Sequence, residues 1–146
     1  KKEFYIYKFR TMKTEAPKDS PTHLLNNPDL YITPLGSFLR KSSLDELAQL
    51  INIVKGDMSI VGPRPALWNQ YDLISERDKY DANSIRPGLT GLAQIMGRDE
   101  LPIEVKSKYD GQYVKEYGFI YDLKIIFKTA FKVISHEGIK EGKSND

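Results

Sequence analysis

RKSSLDELAQLINIVKGDMSIVGPRP, residues 40–65, is the stretch from which the rest of the chain can be read. Leu44, Leu47, Leu50, Ile51 and Val54 recur at helical spacing and predict a helix with one apolar face. Ser43 is a good N-cap residue, and Glu46 three positions on completes a capping box. Lys55 supplies a basic last turn, and Gly56 supplies the left-handed stop. Met58 to Val61 then read as extended, and the prolines of Gly62-Pro63-Arg64-Pro65 fix the backbone on both sides of Arg64.

Asp45 and Glu46 fall in the first turn of this helix. The positive end of the helix dipole is expected to keep Asp45 ionised and to let an anion approach the free amides. A carboxylate beside an anion site, flanked by Arg40 and Arg64, is a pattern that phosphoryl transfer requires. A purely structural reading stands beside it. Acidic residues are enriched at helix starts, and capping alone accounts for Glu46.

Composition bounds the rest. A chain of 146 residues has room for one substantial core, and ordinary apolar content argues against wholesale disorder. A net charge of +2 is too mild to argue for nucleic acid. There is no cysteine, hence no disulfide framework, and the only histidines are His23 and His136, too few for a histidine-rich zinc site. No transmembrane run or signal peptide is present.

Toward the N-terminus, residues 4–12 alternate aromatic and polar residues and predict a short strand carrying Lys8 and Arg10 on one face. Residues 14–33 read as a loop, with a short helix across 22–26. Leu35 to Lys41 predict a helical turn with Phe38 and Leu39 inward, delivering Arg40. Residues 66–80 predict a helix with Leu67, Tyr71, Ile74 and Tyr80 toward the core; Trp68 reads either as a core residue, the favoured place, or as an anchor at a membrane interface. Arg86-Pro87-Gly88 reads as a type II turn with Gly88 at positive φ, followed by a second turn at Thr90-Gly91. Residues 102–117 predict a helix with Val105, Tyr109 and Tyr113 in line. In the last helix, 121–136, Leu123, Ile126, Phe127, Ala130, Phe131 and Ile134 form an apolar stripe, and Lys124, Lys128 and Lys132 a basic one. Docking of the apolar stripe on the domain is favoured over an interfacial helix. Residues 138–146 read as a frayed tail. The expected fold is α+β: one compact, helix-dominated domain with a few short strands near the N-terminus and around Ile60.

Four blocks appear in order: Lys8 to Met12, Phe38 to Leu47, Gly56 to Pro65 and Arg86 to Gln94. Together they resemble the bacterial sugar transferase family, the monotopic phosphoglycosyl transferases, from Lys8 to about Thr129. The resemblance implies transfer of a sugar 1-phosphate from a UDP-sugar to polyprenyl (undecaprenyl) phosphate. The products would be a polyprenyl diphosphosugar and UMP, in the first membrane step of bacterial surface polysaccharide or glycoconjugate synthesis. Asp45 would be the nucleophile of an aspartyl-phosphosugar intermediate, and Glu46 would assist. Mg²⁺ would be the cofactor, held by Asp45 and Glu46. Lys8, Arg40, Arg64, Arg86 and Arg98 would bind phosphate or substrate, and Asp110 and Asp122 match further acidic positions. The chain departs from the family at Tyr31, where an arginine is frequent, and at Met96, where asparagine is usual. The resemblance also implies a hydrophobic membrane segment upstream of Lys1, so this chain is expected to be a catalytic part acting at the cytoplasmic face of the inner membrane. A non-catalytic scaffold of a polysaccharide-assembly complex is the alternative.

Overall fold

The computed structural model describes residues 2–16, 30–97 and 101–135, without the side chain of Ile134. The helix expected at 22–26, the tail at 138–146, both histidines and Arg98 lie outside the described residues. The order of elements is α1 (Pro34–Lys41), a 3₁₀ helix (Leu44–Gln49) running into α2 (Leu50–Val54), β1 (Ser59–Val61), α3 (Tyr71–Asp78), β2 (Gly88–Thr90), α4 (Leu92–Met96), α5 (Ile103–Glu116) and α6 (Phe119–Ser135). The fold is α+β and helix-dominated, as expected.

β1 and β2 pair in parallel, Ser59 opposite Gly88 and Val61 opposite Thr90. Parallel strands need a long crossover, and here it contains α3. Val61, Leu92, Ile95, Tyr113 and Ile125 form the buried core, with Ile85, Tyr109, Tyr121 and Ile126 packed against it. α5 packs against α3 and α4, and α6 covers α4 and the strand pair.

Pro87-Gly88 is not the expected turn. Gly88 lies in β2, and the only glycine in the left-handed region among the described residues is Gly56, at φ +81°, the stop read from the sequence. Gly88 is instead a place of close approach. A Cβ there would stand 2.1 Å from the amide nitrogen of Gly62 and 2.6 Å from the Val61 carbonyl carbon. A side chain at Gly88 would push the two strands apart.

The helix expected from Leu44 to Val54 is turned the other way round. Its polar stripe faces inward: Asp45, Glu46, Gln49 and Asn52 are buried. Its apolar stripe faces out, and Leu44, Leu47, Leu50, Ile51 and Val54 are exposed, Val54 by 89%. Periodicity detects two faces but is blind to which one the domain covers. Ser43 is likewise not a cap. It adopts the left-handed conformation (φ 54°) and makes no capping hydrogen bond. Ser43 is the joint between α1 and the 3₁₀ helix, which pack against each other.

Other expectations shift with it. Residues 4–12 form no strand; a single antiparallel bridge joins Met12 to Ile32. The helix expected at 66–80 begins only at Tyr71 and buries Leu73 and Arg77 instead of Leu67 and Tyr71, while Trp68 is 63% exposed. Phe38 is exposed on α1. α6 docks through Ile125 and Ile126, leaving Phe127 and Phe131 outward, so only part of its apolar stripe is covered. Among the described residues no helix is long and apolar enough to cross a membrane.

Candidate active site

The inward polar stripe is where the site forms. Fully buried Asn52 uses both ends of its amide on the N-terminal segment: Nδ2 donates to the Tyr5 carbonyl (2.7 Å) and Oδ1 accepts from the Tyr7 amide (3.0 Å). Two residues further, the Phe9 amide donates to the Asp45 carbonyl (3.1 Å). An extended segment needs such partners for its backbone, and here a side chain takes the place of a neighbouring strand. The segment is thereby laid along the 3₁₀ helix.

Lys8 lands with Nζ 3.1 Å from Glu46 Oε1. Arg64 reaches the same carboxylate from the other side, Nη2 at 2.7 Å from Oε1 and Nη1 at 3.5 Å from Oε2. Glu46 is therefore held by two cations and is not the reciprocal partner in a capping box. The pairing suits its burial, since a carboxylate removed from water needs charged or hydrogen-bonding partners. Arg40 donates from Nε to Thr11 Oγ1 (2.8 Å), tying α1 to the N-terminal segment.

Asp45 is as buried as Glu46 but differently placed. Burial pushes its carboxyl above the usual carboxylate range; Lys8 pulls it down, the charge of Glu46 pushes it up, and Arg40 and Arg64 pull it down again. The net direction is upward, opposite to the expectation from the helix start. Desolvation outweighs the dipole of a six-residue 3₁₀ helix. The result is a carboxyl of raised basicity with Lys8, Arg40 and Arg64 around it.

Arg64 is positioned from behind. Arg77 Nη1 donates to the Arg64 carbonyl (2.8 Å), and Arg77 is itself fixed by Asp110, with Nε and Nη2 at 2.7 and 2.6 Å from Oδ2. Arg77 and Asp110 are 3% and 1% exposed. Burial raises the Asp110 carboxyl, and Arg77 opposes that rise. Asp110 thus anchors Arg64 through Arg77 and is not gathered with Asp45 and Glu46. Asp122 is also elsewhere: it accepts from the Tyr113 hydroxyl (2.8 Å), which lies 3.3 Å from the Val61 carbonyl as well. Burial, then the Asp122 hydrogen bond, hold the Tyr113 phenol strongly upward. Arg86 is exposed ahead of β2, with its carbonyl packed on Gly62. Among the described contacts none joins it to the carboxylates.

Beside Glu46 opens a cleft of about 560 Å³ between the start of the 3₁₀ helix, the strand pair, α4 and α6. Leu44, Ile60, Leu89 and Ile95 supply aliphatic wall, beside Ser43 and Gln94. Among the described residues no group of three or more histidine, cysteine or carboxylate side chains could hold a metal by itself.

A buried carboxyl with three cations around it, Asp45 followed at once by Glu46, and the rigid Pro63-Arg64-Pro65 agree with one family, whose sequence profile matches residues 1–136. The chain belongs to the bacterial sugar transferase family. It is 44% identical over 140 residues to the uncharacterized sugar transferase EpsL of Bacillus subtilis, covering 96% of this chain and 67% of that one. It is 37% identical to the undecaprenyl-phosphate galactose phosphotransferase of Salmonella typhimurium, covering 94% of this chain but 32% of the relative. The UDP-glucose:undecaprenyl-phosphate glucose-1-phosphate transferase of Xanthomonas campestris is also 37% identical, with 93% and 30% covered. The chain thus spans about two thirds of the Bacillus relative and about a third of the other two.

In this bacterial sugar transferase, sequence reasoning located Lys8, Arg40, Asp45, Glu46 and Arg64, and the structure brings them together. It missed Asn52, Gln49, Thr11 and Arg77. Asn52 had a signal, as the one polar residue within Leu50 to Val54. Arg77 had none, because its partners lie 13 and 33 residues away.

Proposed function

We propose that the protein transfers a sugar 1-phosphate from a UDP-sugar to polyprenyl phosphate, releasing UMP. The observation that carries this reading is the Asp45 carboxyl, buried, raised in basicity and flanked by Lys8, Arg40 and Arg64. In the first step an Asp45 oxygen bonds to the β-phosphorus of the donor. The bond from that phosphorus to the bridging oxygen breaks, and UMP leaves with the electron pair. In the second step a phosphate oxygen of the lipid attacks the same phosphorus, the acyl phosphate bond breaks, and the Asp45 carboxylate is regenerated.

Burial does two things for Asp45. It strengthens its basicity, and it shortens the range over which water can intervene. The three cations offset the charge of two incoming phosphates. Arg64 offers a planar two-pronged donor on a backbone fixed by Pro63, Pro65 and the Arg77 bond. Glu46, bonded to Arg64 and Lys8, positions both. Magnesium fits the site through Asp45 together with donor phosphate oxygens, a set of ligands this ion accepts, and would supply further neutralisation of phosphate charge. Glu46 fits that role less well, because two cations already engage its oxygens. The relatives named for undecaprenyl phosphate support the class of acceptor.

The test is an intermediate trap. Protein, a UDP-sugar and magnesium, without lipid, are quenched rapidly and digested. A phosphosugar on the peptide carrying Asp45 is the expected result. UMP released only when lipid phosphate is present, with no adduct, points instead to a single displacement in which Asp45 is a ligand or base.

A further inference from the structure

The cleft beside Glu46 is walled mainly by carbon. Leu44, Leu47, Ile60, Leu89, Ile95 and Met96 line it, and Leu47, Ile60 and Met96 are each about half exposed. The uncharged polar side chains of the same wall are engaged with the protein. Ser42 donates its hydroxyl to the carbonyls of Phe38 and Leu39. Thr129 donates to the Ile125 carbonyl (2.8 Å), so Thr90 is the donor where the two threonine hydroxyls meet at 2.6 Å. Gln94 turns its nitrogen to the Leu89 carbonyl (3.0 Å), and its oxygen packs toward Gly91, 2.8 Å from where a Cβ would stand. The Ser43 oxygen is buried as well. A ligand in the cleft therefore meets hydrocarbon, and a polar one would lose hydrogen bonds to water there without replacing them.

Charge narrows the choice of apolar occupant. Glu46 lines the cleft on the side of the 3₁₀ helix, and Lys8 and Arg64 hold its carboxylate at 3.1 and 2.7 Å. Cations thus stand next to that side of the cleft, and they suit an anionic head group. Asp45 is not part of the wall, so the cleft can hold a chain while the head group passes beyond Glu46. On the side of α6, Ile95 and Lys132 also belong to a second hollow of about 440 Å³ over Phe127, Lys128 and Phe131. Phe127 and Phe131 are exposed, so the apolar path runs on to the surface. An occupant that is hydrocarbon along its length and anionic at one end matches both sides. In a prenyl phosphate the phosphate is bonded directly to the chain. In a glycerophospholipid ester carbonyls come between them and would lie against the carbon wall, which costs hydrogen bonds.

We propose that the cleft seats the first isoprene units of the acceptor, its phosphate toward Lys8 and Arg64 and its chain leaving over Ile95 toward Phe127 and Phe131; this rests on the lipid-acceptor reading above. Chain and phosphate would then be recognised by separate parts of the fold, β1, β2, α4 and α6 for the one and the cations around Glu46 for the other.

The experiment has a binding arm and a variant arm. In the first, methyl resonances of Ile60, Leu89, Ile95 and Val54 are followed by NMR while inorganic phosphate, dimethylallyl phosphate or farnesyl phosphate is added below its micelle concentration. Farnesyl phosphate should shift Ile60, Leu89 and Ile95 saturably, bind about 100-fold or more tightly than dimethylallyl phosphate, and leave Val54 unmoved. Equal shifts at Val54 mean that the chain merely coats exposed apolar surface, and they overturn the proposal. Shifts of the cleft methyls on diluting the protein alone mean that a second copy covers the cleft, and they overturn it too. In the second arm, Ala130→Trp fills the cleft from an exposed position on α6, and Ile60→Ser removes aliphatic wall. With the fold checked by circular dichroism, each should lower the preference for farnesyl over dimethylallyl phosphate by about tenfold or more. A preference unchanged in both variants sinks the proposal. Farnesyl phosphate seated at these methyls, with no UMP released from any UDP-sugar, supports the isoprenoid cleft and removes the transfer reading. Lipid-dependent UMP release by an acceptor that leaves these methyls unmoved keeps the transfer and overturns the cleft.

Discussion

Asp45 and Glu46 are neighbours with opposite electrostatic circumstances, and substitution should separate them. The folded-state Asp45 carboxyl is raised, so its protonated form is favoured by folding. That contribution is fully present below the ordinary carboxylate value and is lost as pH rises through the raised value. Asp45→Asn should therefore raise the melting temperature at neutral pH, have little effect near pH 3, and abolish turnover by orders of magnitude. Thermal unfolding at two pH values, beside a UMP assay, checks both parts. Glu46→Gln should act the other way. It weakens the bonds to Lys8 and Arg64, costing about 1 kcal/mol when the partial exposure of both cations is allowed for, and lowers turnover by misplacing Arg64. A mere capping role would leave melting unchanged, because glutamine serves in a capping box. The identities of these residues were legible in the sequence, since the blocks that hold them are distinctive. The work that Ser43 does was not. Serine is a favourable cap by local propensity, and the left-handed turn that makes it a joint goes with the packing of α1 on the 3₁₀ helix, which local rules do not weigh.

At the scale of elements, the position of Arg64 depends on a buried ion pair between α3 and α5. Removing one partner leaves an uncompensated buried charge, so Asp110→Ala should cost about 3–5 kcal/mol. Replacing both, Asp110→Leu with Arg77→Met, should recover much of that stability. The double variant should still be slow, because the Arg64 carbonyl loses its donor. Chemical denaturation and the UMP assay together distinguish this from a general loss of fold. Element existence was well legible where periodicity ran long: α5 and α6 fall close to the expected bounds. It failed at Gly88, where proline before glycine suggests a turn but the spacing of two strands dictates the residue. It failed also in facing. The stripe from Leu44 to Val54 is amphipathic as read, yet the domain covers Asp45, Glu46, Gln49 and Asn52 because the N-terminal segment and Arg64 supply partners for them. Those partners lie far away in sequence, so no local window contains the reason.

For the whole molecule, the core and the site are built from different parts. Val61, Leu92, Ile95, Tyr113 and Ile125 come from β1, α4, α5 and α6, and none comes from residues 2–16. The single-domain α+β class followed from length and from the lack of long strand–helix alternation. The division of labour inside it did not, because the N-terminal segment reads locally as a strand that would belong to the core. That segment carries Lys8 and is secured by the two Asn52 bonds, the Phe9–Asp45 bond and the contacts of residues 11–13 with 31–33. Apart from Thr11, its described residues are half-buried or exposed. Elements with so few buried contacts open at lower free energy than the domain does. Inactivation and denaturation should therefore be two events. In rising urea, UMP release should fade at a lower midpoint than the far-ultraviolet circular dichroism of the helices, and recover on dilution. Coincident midpoints would mean that the segment unfolds only with the core. Asn52→Ala should widen the gap by moving the first midpoint more than the second, making this enzyme one that can be switched off while still folded.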